Sequence, residues 1–85
     1  MPKSQFTDAY ALLLETLVKA RRAAGMTQVE LAKALGKPQP VVSNMERGIR
    51  RIDMIEFVAI ARALGVPPEE LFASVLKKLP KRLEI

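Results

Sequence analysis

The sequence predicts an all-α domain of five helices, and three observations carry that prediction. Apolar residues make up 49% of the chain but aromatics only 5%, with no tryptophan, so the core must be aliphatic, a composition that suits packed helices better than a sheet. The apolar residues recur at spacings of three and four in five separate stretches, the stripe of an amphipathic helix. Gly, Pro or a capping residue bounds each stretch. At 85 residues the chain has room for one compact domain, spanning 1–85, and not for two. A single core of that size is only marginally able to stabilise a fold, which favours self-association.

The first helix is expected over Asp8 to Ala24, where Phe6, Tyr10, Leu13, Leu14, Leu17 and Val18 form the stripe and Gly25 is the stop. Thr27 is a good N-cap and Glu30 stands three residues on, as a capping box requires. Val29, Leu31, Ala32 and Leu35 then give the second helix, Gln28 to Leu35, its apolar face until Gly36. Pro38 and Pro40 are tolerated at the start of a third helix because the first amide hydrogens there have no intrahelical acceptor. That helix runs from Gln39 to Arg47 with Val42 and Met45 inward, and Gly48 stops it. Asp53 caps the fourth helix, in which Met54, Ile55, Phe57, Val58, Ile60, Ala61 and Leu64 are apolar, making it the expected central strut up to Gly65. Pro67-Pro68-Glu69-Glu70 opens the fifth, which continues through Leu71, Phe72, Val75, Leu76 and Leu79 to Pro80. Residues 1–7 and 80–85 are expected to be short flexible ends.

Cysteine and histidine are both absent, which removes disulfides, thiol nucleophiles, thiolate metal sites and the commonest general base. No catalytic residue, metal or cofactor is expected. The acidic pair Glu69 and Glu70 does not restore an enzyme reading, because the helix dipole at a helix start explains it. The start Met1-Pro-Lys-Ser-Gln lacks the basic-then-apolar pattern of a signal peptide, and no apolar run approaches the roughly 18 residues that span a bilayer. A soluble, cytoplasmic protein is expected; the lack of cysteine fits a reducing compartment without requiring one.

Fourteen Lys and Arg against nine Asp and Glu give a net charge of +5, which points to a polyanion, either nucleic acid or an anionic membrane surface. The membrane reading is the weaker, since Lys77, Lys78, Lys81 and Arg82 have no interfacial aromatic anchor beside them. RNA binding lacks an aromatic stacking platform. The Met residues, Tyr10, Phe57 and Phe72 fall at helical spacing with other apolar residues, which places them in the core rather than around a small-molecule ligand.

The second and third helices, separated by a few residues around Gly36, have the proportions of a helix-turn-helix. Around them run Arg-Arg-Ala-Ala-Gly-Met-Thr-Gln-Val-Glu-Leu-Ala-Lys-Ala-Leu-Gly from Arg21, Val-Val-Ser-Asn-Met-Glu-Arg-Gly from Val41, and Ala-Arg-Ala-Leu-Gly-Val-Pro-Pro-Glu-Glu-Leu-Phe from Ala61. In the combination of Thr-Gln-x-Glu-Leu-Ala, Val-Ser-x-x-Glu-x-Gly and Ala-Leu-Gly-Val, residues 21–72 resemble the phage repressor and Cro family of XRE-like helix-turn-helix regulators. The resemblance implies a compact, repressor-like DNA-binding domain with the motif formed by the second and third helices.

In that family the second helix of the motif is the reader, so the resemblance implies that Gln39, Pro40, Ser43 and Asn44 face base edges in the major groove. These positions lie opposite Val42 and Met45, and Gln and Asn both pair bidentately with adenine. Gln39 is the first candidate for base readout; the alternative is an exposed first-turn residue. Pro40 has no hydrogen to donate, so recognition there is apolar, for example against a thymine methyl. Pro40 and Asn44 depart from the common family pattern of a small polar and a basic residue, so a relative's target sequence does not transfer.

Gln28 opens a helix whose free N–H groups and dipole make a phosphate site, a use the family makes of this glutamine. Lys37 in the turn, and Arg47, Arg50 and Arg51 after the reader, are the other candidate phosphate contacts, each alternatively a solvated charge. For Arg21 and Glu46 the resemblance implies a structural ion pair tying the first helix to the third, whose single removal strands the partner. Lys19 and Arg22 are expected to be exposed.

A lone helix reads few base pairs, so useful specificity calls for a homodimer on double-stranded DNA, with half-sites of a pseudo-palindromic operator about one turn apart. The apolar fifth helix, Leu71 to Leu79, is the candidate interface, or else a cover for the core. Regulation of transcription follows, with repression and activation both open. The competing reading is an antitoxin-type protein that binds operator DNA and a partner protein, for which only Met1 to Thr7 and Lys77 to Ile85 remain as gripping segments.

Overall fold

The structure, a computed structural model, describes residues 7–85, so Phe6 and the rest of the N-terminal end before Thr7 lie outside the described residues. Five helices follow in order: α1 (Asp8–Ala23), α2 (Gln28–Leu35), α3 (Gln39–Glu46), α4 (Met54–Leu64) and α5 (Pro68–Lys78). Every regular element among the described residues is a helix, as the aliphatic composition predicts. The boundaries depart from expectation by a residue or two. Arg47 is the cap of α3 rather than its last turn, and α5 stops at Lys78 because Leu79 precedes Pro80 and is forced to extended backbone, φ −81 and ψ 141.

Local chemistry sets the helix starts. The Thr27 hydroxyl accepts from the Glu30 N–H at 3.1 Å while the Glu30 carboxylate accepts from the Thr27 N–H at 2.8 Å. Asp53 and Glu56 make the same reciprocal pair at 2.7 and 2.9 Å, and the Thr7 hydroxyl caps α1 through the Tyr10 N–H. At the start of α3 and α5 no side chain does this work; prolines pre-set the backbone there.

The turn between α2 and α3 depends on Gly36, which closes α2 in left-handed conformation, φ 69 and ψ 32. The Gly36 and Lys37 N–H groups then donate back to the Lys33 and Ala32 carbonyls, turning the chain tightly into α3. Beyond its own chain neighbours, no atom lies within 4 Å of where a Cβ would stand. Gly36→Ala is therefore expected to lower the unfolding free energy by about 1–2 kcal/mol through backbone strain alone, read as a lower urea midpoint at unchanged slope.

The core joins all the helices: Leu17 from α1, Leu31 and Ala32 from α2, Val42 and Met45 from α3, Phe57, Ile60, Ala61 and Leu64 from α4, Leu71 and Val75 from α5. With four of these residues and contacts to both α2 and α5, α4 is the strut the sequence predicts. Its outer face corrects the expectation, because Met54 and Ile55 are 68% and 78% exposed. Helix neighbours cover one side of α4, the side carrying 57, 60, 61 and 64, and apolar residues elsewhere on the cylinder stay in solvent. Val29 of α2 is likewise exposed. Phe72 is 44% exposed rather than core; its ring meets Phe57 edge-on at 6.1 Å and 82° while Leu71 and Val75 take the inward face of α5.

Candidate nucleic-acid interface

With Val42 and Met45 buried, α3 turns Gln39, Pro40, Ser43, Asn44 and Arg47 outward on one face, Pro40 and Arg47 exposed and the other three half-buried. The helix is held at this angle by a chain of polar contacts beneath its ends. The Arg21 guanidinium donates from Nε to Glu46 Oε2 at 2.6 Å and from Nη2 to Oε1 at 3.0 Å, and its Nη1 reaches the Met26 carbonyl at 2.8 Å. Both side chains are nearly withdrawn from solvent, at 10% and 12% exposure. Such a bidentate contact joins α1 to the end of α3.

Gln28 stands between the two ends of α3. Its Nε2 donates to Glu46 Oε1 at 2.8 Å and its Oε1 accepts from Gln39 Nε2 at 2.8 Å. Its side chain is thus engaged with α3. Asn44 too is occupied: Arg47 Nη2 donates to its Oδ1 at 2.9 Å, and its backbone carbonyl accepts from the Ile49 and Arg50 N–H groups.

The arginines of the following loop each have a partner that the sequence reading did not name. Arg50 donates to Glu56 Oε2 at 2.8 Å, while its Nη1, hidden from solvent, has no hydrogen-bond partner. Arg51 lies over the Tyr10 ring, 4.4 Å from its centre, and the Tyr10 hydroxyl accepts from the Ile52 N–H at 2.9 Å. Lys37 is exposed and its charge reaches Glu56 from the α2–α3 turn. Lys19 and Arg22 are exposed on α1. The Asp53-x-x-Glu56 spacing is a capping box that the sequence reading, naming Asp53 alone, left out; nothing local in the sequence marks Tyr10 as a support for the loop.

The Arg50 contact, then the Asp53 N–H, hold the Glu56 carboxyl below the usual carboxylate range, and the same contact raises Arg50. A carboxyl with a lowered folded pKa contributes stability above its unfolded value and loses it as pH falls through the folded one. Glu56→Gln is therefore expected to flatten the fall of stability below the usual carboxylate range, measured by urea titrations across acid pH. A slope there equal to that of the parent chain excludes the contact from acid unfolding.

A helix-turn-helix family model matches residues 17–71, which includes α2, α3 and α4 entire. The chain belongs to this family, the XRE-type helix-turn-helix proteins. Its members are DNA-binding transcriptional regulators. An HTH-type transcriptional regulator of Sinorhizobium fredii is 36% identical over 64 residues, 75% of this chain and 83% of the relative. Among solved structures, an XRE-family-like protein from Pseudomonas syringae pv. tomato has 44% identity and a TM-score of 0.78, over 85% of this chain and 88% of that one. The restriction-modification controller protein C.AhdI of Aeromonas hydrophila has 35% identity and a TM-score of 0.65, over 78% and 100%. In this XRE-type chain the motif is α2 and α3, and the polar contacts of Arg21, Glu46, Gln28 and Gln39 run along one flank of its second helix.

Proposed function

We propose that the chain binds double-stranded DNA sequence-specifically as a homodimer on a pseudo-palindromic operator and regulates transcription in the cytoplasm, as a repressor or autoregulator. The outward face of α3 carries the reading: Gln39, Pro40, Ser43 and Asn44 stand together on a rigid helix, free of the core that Val42 and Met45 enter. Gln39 is the principal base contact, and Gln28, Lys37, Arg47, Arg50 and Arg51 supply phosphate contacts. The net charge of +5 supports the electrostatic part of binding.

Dimerisation is supported by apolar surface on α4, α5 and the C-terminal tail. Phe72 and Leu76 of α5 and Met54 and Ile55 of α4 are exposed, and Leu83 and Ile85 of the tail add to them. Between Tyr10, Leu13, Phe57, Phe72 and Val75 lies an apolar groove of about 510 Å³. Exposed apolar surface of this kind marks an interaction site.

Selection from a randomised pool of duplexes by the purified protein tests this reading. A two-fold symmetric enriched motif is expected; no enrichment by folded protein at moderate salt sinks it and moves the weight to a partner protein. Gln39→Ala is expected to lose about 1–3 kcal/mol on the enriched site with little change on unrelated duplexes, measured by titration. Equal losses on all DNA refute base reading by Gln39.

A further inference from the structure

One face of α1 grips the chain on both sides of the loop that follows α3. Tyr10, Leu14, Leu17 and Arg21 fall at spacings of four, three and four, a single stripe of the helix, and all four are buried. At one end of the stripe Arg21 holds Glu46, the last residue of α3; at the other the Tyr10 hydroxyl accepts from the Ile52 N–H at 2.9 Å. The helical rise sets these two residues about 16 Å apart along α1. The loop that carries Arg50 and Arg51 is strung between them.

Tyr10 also meets a cation of that loop. The Arg51 guanidinium lies over its ring, 4.4 Å from the centre. An aromatic face attracts a guanidinium without taking up its N–H groups and without cancelling its charge. Among the described residues no carboxylate pairs with Arg51, whereas Arg50 is bonded to Glu56. Arg51 is exposed, so its donors remain for a phosphate. Tyr10 lies ahead of the residues matched to the family, 17–71, in the first turn of α1.

We propose that Tyr10 is a positioning residue for DNA binding: its hydroxyl fixes the loop at Ile52, and its ring holds the Arg51 guanidinium ready for a phosphate of the DNA backbone. This rests on the reading that Arg51 contacts phosphate. Held over the ring, the long Arg51 side chain has already lost much of its rotational freedom in the free protein, and binding does not remove it a second time. A phosphate is the same at every base pair, so Tyr10 strengthens binding without choosing a sequence.

The test titrates the full chain with the duplex enriched from the randomised pool and with an unrelated duplex of equal length. Arg51→Ala is expected to weaken both alike and to lower the slope of log affinity against log salt by about one. Tyr10→Leu keeps apolar bulk but neither ring nor hydroxyl. It is expected to weaken both duplexes by about two- to tenfold, the ordering cost of one long side chain, with the ratio between them intact. In the Arg51→Ala background most of that loss is expected to disappear, the signature of action through Arg51 that a merely loosened fold does not give. Equal losses in the two backgrounds, or parent affinity in Tyr10→Leu, overturn the proposal.

Tyr10→Phe keeps the ring and the packing, so the test survives a Tyr10→Leu chain that does not fold. Without DNA, the Arg51 side-chain proton resonances are expected at the upfield positions of groups above a ring, in the parent and in Tyr10→Phe alike. The Ile52 amide is expected to exchange with solvent faster in Tyr10→Phe than in the parent. Arg51 resonances at the positions of exposed arginines, or an Ile52 amide indifferent to the hydroxyl, also overturn the proposal. Arg51→Ala at parent affinity and slope removes the phosphate contact, and the proposal with it; upfield Arg51 resonances then mark a failure of the contact and not of the stack.

Discussion

Glu46→Ala is expected to lower the unfolding free energy by about 3–5 kcal/mol. The substitution leaves the Arg21 guanidinium, only 8% exposed as a residue, with the Met26 carbonyl as its remaining hydrogen-bonding partner, and deprives Gln28 of an acceptor. The loss is large because a buried charge without a counter-charge stays desolvated and unrewarded; the ion pair itself contributes far less than its removal costs. In a domain of this size each kcal/mol lowers the melting temperature by about 4–8 °C, so thermal denaturation followed by circular dichroism reads the effect directly. Replacing both partners, Arg21→Met with Glu46→Leu, is expected to restore most of the stability. A double variant as unstable as Glu46→Ala points instead to the packing of α1 on α3.

Ile60→Ala is expected to cost about 2–5 kcal/mol, by lost transfer energy and an unfilled cavity. Ile60 is 4% exposed on the core face of α4, beside Leu31, Val42 and Met45. Leu31 comes from α2 and Val42 and Met45 from α3, so no single side chain can move into the space. Ile60→Val, which deletes one methylene, is expected to cost about 0.5–1.5 kcal/mol, and the pair measured by urea unfolding separates cavity from general disruption. Similar midpoints for the two variants show that the site collapses around the smaller side chain. Total stability for a chain of this length is about 4–13 kcal/mol, so either Ile60→Ala or Glu46→Ala removes a large part of it.

Helix positions were readable because their causes are local. Thr27 with Glu30 and Asp53 with Glu56 cap within one turn, and Gly36 and Gly65 stop α2 and α4 from the next position along. The family strings placed the helix-turn-helix for the same reason. Which side of α4 is covered was not readable, because that depends on where α2 and α5 cross it, and Met54 and Ile55 look no different in sequence from Ile60. In the site, Arg21 and Glu46 were named together through a resemblance, not through their spacing. That Gln28 connects Glu46 to Gln39, and that Tyr10 holds Arg51, follows only from elements distant in the chain coming together, whereas Glu56 meets Arg50 across the bend of the loop that leads into α4.

Arg50 changes the meaning of a cation near DNA. A phosphate that takes its guanidinium must compete with the Glu56 carboxylate already bonded to it at 2.8 Å. Contact becomes an exchange of anions around one cation, and the released carboxylate then faces the phosphate with like charge unless Lys37, whose charge already reaches Glu56, remains close. An exchange gives little at long range, where arginine and glutamate cancel, and takes effect only at docking distance. In the proposed complex Arg50 therefore adds little to the pull that gathers DNA from solution and more to the final fit.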